Sequence, residues 1–131
     1  MPPNQPAPLV LVVDDVLDNA VIISLALQQQ GYRVITATNG EEALKVAALS
    51  RPDLILMDIA MPQLDGLAAT RRLREDEQLR NTPVIALTAF DTQGFQRAAY
   101  DAGLDGYLTK PINFDRLFDL IRSKLSDRQD T

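Results

Sequence analysis

Asp14 and Asp15 close one unbroken apolar run, Asp58 closes another, and Thr88 and Lys110 stand at the ends of two further apolar stretches. Taken singly, each is ordinary. A strand-end aspartate usually caps a helix or shapes a turn, a threonine there is commonly a solvated hydroxyl, and a lone lysine marks a wet edge. Brought to one rim, they become a reactive set. Carboxylates ~4 Å apart repel by roughly 4 kcal/mol per pair at an effective dielectric of about 20, a cost that no structural role requires. Either one carboxyl keeps its proton or a divalent cation sits among them. Oxygen donors favour Mg2+ or Mn2+. Mg2+ typically uses few protein carboxylates, keeps several waters and completes its shell with a phosphate oxygen. Lys110 then serves as a point charge for phosphoryl oxygens and Thr88 as a hydrogen-bond donor. A carboxylate is also able to accept a phosphoryl group as an aspartyl-phosphate.

Histidine and cysteine are both absent. Their absence excludes the Ser-His-Asp triad, imidazole acid–base chemistry, histidine or thiolate metal sites, disulfides and a cysteine nucleophile. A carboxylate is the best nucleophile left. The net charge of −5, from 13 basic and 18 acidic side chains, disfavours direct binding to nucleic acid. No apolar run approaches the ~20 residues that span a bilayer. The start of the chain lacks the basic and apolar segments of an export signal, so a cytoplasmic location is expected.

The elements that must position these groups follow in order. Residues 9–13 form a continuous β-branched and leucine run, as expected of a strand buried on both faces of a parallel sheet. A helix over 18–30 is stopped by Gly31. A second strand covers 32–37, and Asn39 caps a helix that reaches about Ser50, with Glu42 as its capping-box partner. Residues 53–58 are a third strand, and the loop 61–66 turns into a helix ending near Asp76. A fourth strand spans 83–88 and a helix 91–102, with Ala98, Tyr100 and Ala102 as its core face. A short fifth strand covers 106–110. Asn113 caps the last helix, which buries Phe114, Leu117, Phe118, Ile121 and Leu125 at helical spacing. Five strand–helix alternations in 131 residues call for one doubly wound α/β domain with a parallel sheet and helices on both faces. The domain is expected over 9–126, after a disordered proline-rich leader at 1–8 and before a polar tail at 127–131, which is too short for an output domain. In such sheets, ligands bind outside the carboxyl ends of the strands, where all five singled-out residues fall.

These motifs resemble the receiver domains of bacterial two-component response regulators, in the group of the chemotaxis receiver. The likeness rests on Val13-Asp14-Asp15, Asp58 with Met61-Pro62 and Asp65-Gly66, Leu87-Thr88-Ala89, and Tyr107-Leu108-Thr109-Lys110-Pro111-Ile112, over about 9–125. Each motif is weak alone, and their order and spacing together are specific. The resemblance implies the flavodoxin-like strand order 2-1-3-4-5, which is known for the chemotaxis receiver and is taken from that likeness. It implies Asp58 as phosphoacceptor; Asp14, Asp15, Asp58 and the Ala60 carbonyl as the Mg2+ shell; and Lys110, Thr88 and the Ala89 amide as partners of the phosphoryl oxygens. It also implies a cis Lys110–Pro111 bond, a switch through Thr88 and Tyr107, and self-assisted phosphorylation and dephosphorylation rather than turnover of other substrates. Implied partners are a histidine kinase or histidine phosphotransfer domain and a downstream protein on the face of the fourth helix, fifth strand and fifth helix. The chain would act as a monomer or a phosphorylation-dependent dimer. Ala60 and Phe90 border the path of an attacking water and bear on the lifetime of the phosphorylated form.

Other readings fit less well. A haloacid-dehalogenase-type phosphatase needs a second acid where this chain has Ala60, and normally a cap domain. A flavodoxin-like electron carrier needs a Ser/Thr/Gly-rich phosphate loop where this chain has Asp14-Asp15-Val16-Leu17. A degenerate receiver used only for docking does not require the complete set. A receiver module of a hybrid histidine kinase or DNA-binding regulator stays open. Two apolar features add to the core pattern. The first helix carries Ala20-Val21-Ile22-Ile23 and then Leu25-Ala26-Leu27, apolar nearly all round and more than one core-facing stripe needs, and Phe95 is expected partly exposed beside Tyr107 as an anchor for a partner.

Overall fold

Continuous apolar runs become strands here because both faces of the sheet are covered. The computed structural model describes residues 6–59, 64–89 and 93–129. The elements alternate as β1 (Leu9–Val13), α1 (Leu17–Gln29), β2 (Arg33–Ala37), α2 (Gly40–Ser50), β3 (Leu54–Ile59), α3 (Leu64–Glu75), β4 (Val84–Thr88), α4 (Gln93–Ala102), β5 (Gly106–Thr109) and α5 (Phe114–Gln129). The sheet has five strands in the order β2-β1-β3-β4-β5, and all four pairings are parallel. The element order and topology are those expected. Tyr32, Asp53, Pro83 and Lys110 lie just outside the strands, and α5 runs into the stretch expected as a polar tail.

Alternation along each central strand feeds two cores. Leu11, Val13, Ile55, Met57, Val84 and Ala86 face one layer with Ala43, Ala47, Ala69, Ala99 and Ala102 of α2, α3 and α4. Val10, Val12, Leu54, Leu56, Ile85 and Leu87 face the other, with Ile23 and Leu27 of α1 and Leu117 and Ile121 of α5. Alanines let the helices of the first layer sit close to the sheet, whereas the second is filled by larger side chains. Truncating a fully buried member such as Leu56 to alanine would cost about 2–5 kcal/mol.

The ends are closed by local chemistry. Gly31 and Gly103 have φ of +93° and +94°, the left-handed conformation that ends α1 and α4 and suits glycine. Asn39 Oδ1 accepts from the Glu42 amide at 2.8 Å, so Asn39 caps α2 as expected. The reciprocal half of the capping box differs: the Glu42 carboxylate accepts from Thr38 Oγ1 at 2.9 Å, and among the described residues it has no bond from the Asn39 amide. Asn113 Oδ1 caps α5 by accepting from Arg116 N at 3.1 Å. Ala7 and Pro8, assigned to the leader, are tied to the sheet, since Arg33 Nε donates to Ala7 O at 2.8 Å and Arg33 N to Pro8 O at 3.0 Å. Residues 1–5 lie outside the described residues. Among the described residues no helix is long and apolar enough to cross a membrane.

On α4 the inward face is Phe95, Ala98, Ala99 and Ala102. Tyr100, assigned to that face from the sequence, is 83% exposed. The reason is helical phase: at 3.6 residues per turn, position 100 lies roughly 100–160° round the helix from Phe95, Ala98, Ala99 and Ala102, and so points outward.

Candidate functional site

A parallel sheet delivers the ends of all its strands to one rim, and β1, β3, β4 and β5 bring the polar set there. Asp14 follows β1, its amide donating to Ala37 O at 3.0 Å, so the carboxyl is held at the rim yet only 3% exposed. Asp58 lies within β3 opposite Leu87, one place before the Ile59–Thr88 pair. Thr88 ends β4 fully buried, and its carbonyl accepts from Lys110 N at 2.7 Å. That bond aligns the start of the β5–α5 loop with the acidic residues. The Lys110–Pro111 peptide is cis, as the resemblance implies.

Carboxylate oxygens of Asp14, Asp15 and Asp58 lie within 4.8 Å of one another. Lys110 Nζ stands 2.7 Å from Asp58 Oδ1, and the Asp58 side chain is only 3% exposed. Oδ1 is buried and, the ammonium apart, meets no hydrogen-bond donor among the described residues. Burial, with the adjacent Asp58 charge adding to it, pushes the Asp14 carboxyl from 3.8 up to about 6. The Val16 amide, donating to Asp14 Oδ1 at 2.8 Å, and the more distant Lys110 charge pull the other way. Asp15 is solvent-exposed and opens the cluster to the outside.

The sequence-assigned set Asp14, Asp15, Asp58, Thr88 and Lys110 therefore gathers at one rim. Ala89 follows Thr88 on the exposed side. Tyr107 of β5 is half-buried, and its ring meets that of Phe95 edge-on at 5.9 Å and 81°. Ala60, Met61, Pro62 and Phe90 lie outside the described residues. Sequence reasoning did not identify an apolar cavity of about 200 Å³ beside the cluster. Its wall is Ile22, Ile23, Leu87, Pro111, Ile112 and Phe114, and Asp14, Asn19 and Lys110 line it too. The signal present was the run Pro111-Ile112 after the lysine, which reads locally as a mere loop.

The donor set is all oxygen, one carboxyl is held off its ordinary ionisation, and the buried Asp58 Oδ1 has the Lys110 ammonium as its one cationic neighbour among the described residues. Those three features fit a hard divalent cation such as Mg2+.

The response regulator receiver domain family matches residues 10–122. The chain belongs to this family. The polar-differentiation response regulator DivK of Brucella anthropi is 41% identical over 118 residues, covering 90% of this chain and 96% of that protein. Among solved structures, the receiver domain of a signal transduction histidine kinase from Syntrophus aciditrophicus superposes with a TM-score of 0.86 at 34% identity, covering 95% of each chain. The receiver domain of sensor histidine kinase PA1611 from Pseudomonas aeruginosa, solved with a magnesium ion coordinated in its active site cleft, gives 0.82 at 37% identity, covering 92% of this chain and 98% of that one. A buried carboxylate beside an ammonium is a nucleophile with a charge ready for the incoming group.

Proposed function

We propose that this receiver takes a phosphoryl group onto Asp58 from a phosphohistidine on a histidine kinase or histidine phosphotransfer domain, with Mg2+, and responds by altering a partner-binding surface. The observation that carries this reading is the buried Asp58 carboxylate with the Lys110 ammonium at 2.7 Å and two further carboxylates within 4.8 Å. An Asp58 oxygen attacks phosphorus in line with the donor's P–N bond. The new O–P bond forms as the P–N electron pair returns to the imidazole, which leaves as the neutral ring when its second nitrogen carries the proton. Lys110 offsets the charge on the moving phosphoryl oxygens, and Thr88 and the Ala89 amide donate to them. Asp14, Asp15 and Asp58 would hold Mg2+, which when bound would add positive charge at those oxygens. Water later cleaves the aspartyl-phosphate, so the chain assists its own phosphorylation and dephosphorylation without turning over other substrates. This reading places it in the cytoplasm. Incubation with acetyl phosphate, with Mg2+ or with a chelator, tests it by mass: one added phosphoryl group that requires Mg2+ is expected, and labelling that ignores the metal overturns the mechanism.

The donor docks on α1. Ala20, Ile23 and Leu27 are buried, while Leu17, Ile22 and Leu25 are 73, 57 and 55% exposed, a second apolar stripe that this fold does not cover. Ile22 carries that stripe into the cavity beside Asp14 and Lys110, so a helical donor lying on α1 is led to the acceptor. Leu17→Asp and Leu25→Asp are expected to slow transfer from the kinase at least tenfold, about the cost of losing one apolar anchor, and to leave acetyl phosphate labelling unchanged. Equal losses with both donors would overturn the docking role.

The output runs through Thr88 and Tyr107 to the face of α4, β5 and α5. Tyr100 is the more exposed aromatic of α4, and Phe95, partly exposed as expected, meets the Tyr107 ring edge-on. Thr88→Ala should still accept phosphate but show a weakened amide-shift response at Tyr107. Tyr100→Ala should weaken binding of the downstream protein by roughly tenfold or more with phosphorylation unaltered. Shifts on activation that spare β4, α4 and β5 would rule this surface out.

A further inference from the structure

Arg74 sits in the last turn of α3, at the edge of the sheet opposite the acidic rim, where β4 and β5 begin. Its guanidinium donates to Gly103 O from Nε at 3.0 Å and Nη2 at 2.8 Å. Nη1 donates to Arg80 O at 3.0 Å and to Thr82 O at 2.8 Å. Nη2 also pairs with Asp105 Oδ2 at 2.6 Å. That same oxygen accepts from Val84 N at 2.8 Å, and Asp105 N donates to Val84 O at 2.9 Å. One planar, permanently charged fork therefore joins the end of α4, the segment before β4, the first residue of β4 and the residue before β5. Gly103 leaves room for it, since a Cβ there would lie 3.0 Å from Arg74 Cγ and 3.1 Å from Nε.

None of these bonds involves the rim, yet the elements they tie are those that carry Thr88 and Lys110 at their other ends. Phe95 lies eight residues before Gly103, about 12 Å along the helix, and it is there that the Tyr107 ring touches α4. A helix held firmly at one end turns a small displacement at the other into a rotation about the fixed point. We propose that Arg74 is a positioning residue that keeps the C-terminal end of α4 and the start of β5 fixed in both phosphorylation states, so that α4 pivots about Gly103 as its other end follows Tyr107. This proposal rests on the phosphorylation switch set out above, and deepens it by naming the pivot.

The test is amide hydrogen exchange and chemical shift on the full chain, unmodified and acetyl-phosphate-labelled, for the wild type and Arg74→Met. In the unmodified protein the amides of Gly103, Leu104 and Asp105 bond to Tyr100 O, Ala99 O and Val84 O. Their exchange should accelerate at least about tenfold in Arg74→Met, the equivalent of one charge-assisted hydrogen bond. On labelling, wild-type shifts should concentrate on 93–98 and Tyr107 and spare 102–106. In Arg74→Met they should spread into 102–106, a redistribution that a merely stabilising residue would not produce. Asp105→Asn, which keeps an acceptor for the Val84 amide but drops the ion pair, should give the same spread to a smaller extent and serves if Arg74→Met folds poorly. Wild-type shifts as large at 102–106 as at 93–98, or an unchanged distribution in both variants, would overturn the pivot. Absence of any adduct by mass would instead overturn the phosphorylation reading beneath it. The two failures are told apart because exchange at 103–105 in the unmodified protein still reports whether Arg74 holds that end.

Discussion

Asp58→Asn is expected to abolish acyl-phosphate formation. The replacement keeps the shape of a side chain that is 3% exposed and packed beside Lys110, but an amide oxygen does not attack phosphorus at any useful rate. With acetyl phosphate and Mg2+, the mass of the variant should stay unchanged while the wild type gains one phosphoryl group. Lys110→Gln should retain the acceptor and slow labelling by about 10²–10³, the usual loss when one charge-stabilising donor is removed. The fold should persist in both, because neither residue belongs to the apolar clusters on the two sheet faces. Labelling of Asp58→Asn at another residue would remove Asp58 from its assigned role.

Mg2+ should raise the melting temperature substantially, and the effect should depend on pH in a defined direction. Binding to the native state alone contributes RT ln(1 + [L]/Kd), about 2.7 kcal/mol at a hundredfold excess over Kd. For a domain of this size that is on the order of 10 °C. Asp15→Asn should lose most of it. The metal-free protein should behave in the opposite sense from one with a salt-bridged aspartate. The Asp14 carboxyl is raised from 3.8 to about 6, so between these values the native state binds more protons than the unfolded chain. Stability from this group therefore falls as pH rises through that window and is lowest above it. Asp14→Asn keeps an oxygen for the Val16 amide and removes the repelled charge, so its metal-free melting temperature should exceed the wild type's at pH 8, and the two should converge toward pH 4. Because protons and Mg2+ compete for the same oxygens, the metal effect should shrink below about pH 6. A melting curve indifferent to Mg2+ at pH 8 would contradict the cation site.

Much of this protein is legible in its residues taken in order. Unbroken apolar runs such as Leu9–Val13 mark strands covered on both faces, and the carboxylates, hydroxyl and ammonium that follow them fall on one rim because parallel strands all end on the same side. Strand order came from likeness to a family, since no local pattern says which strand pairs with which. Three matters were decided only by tertiary packing. The outward turn of Tyr100 depends on a helical phase set by where alanines can approach the sheet, and composition alone does not fix that phase. The upward shift of Asp14 depends on burial beside Asp58, a distance of many residues in sequence and a few ångströms in space. The bonds of Arg74 to Gly103 and Asp105 join α3 to the α4–β5 turn, and an arginine in the last turn of a helix reads by itself as no more than a favourable charge at the dipole's negative end. Periodicity records which face of an element is buried; what that face or a long polar side chain meets is set by the three-dimensional approach of segments far apart in the chain.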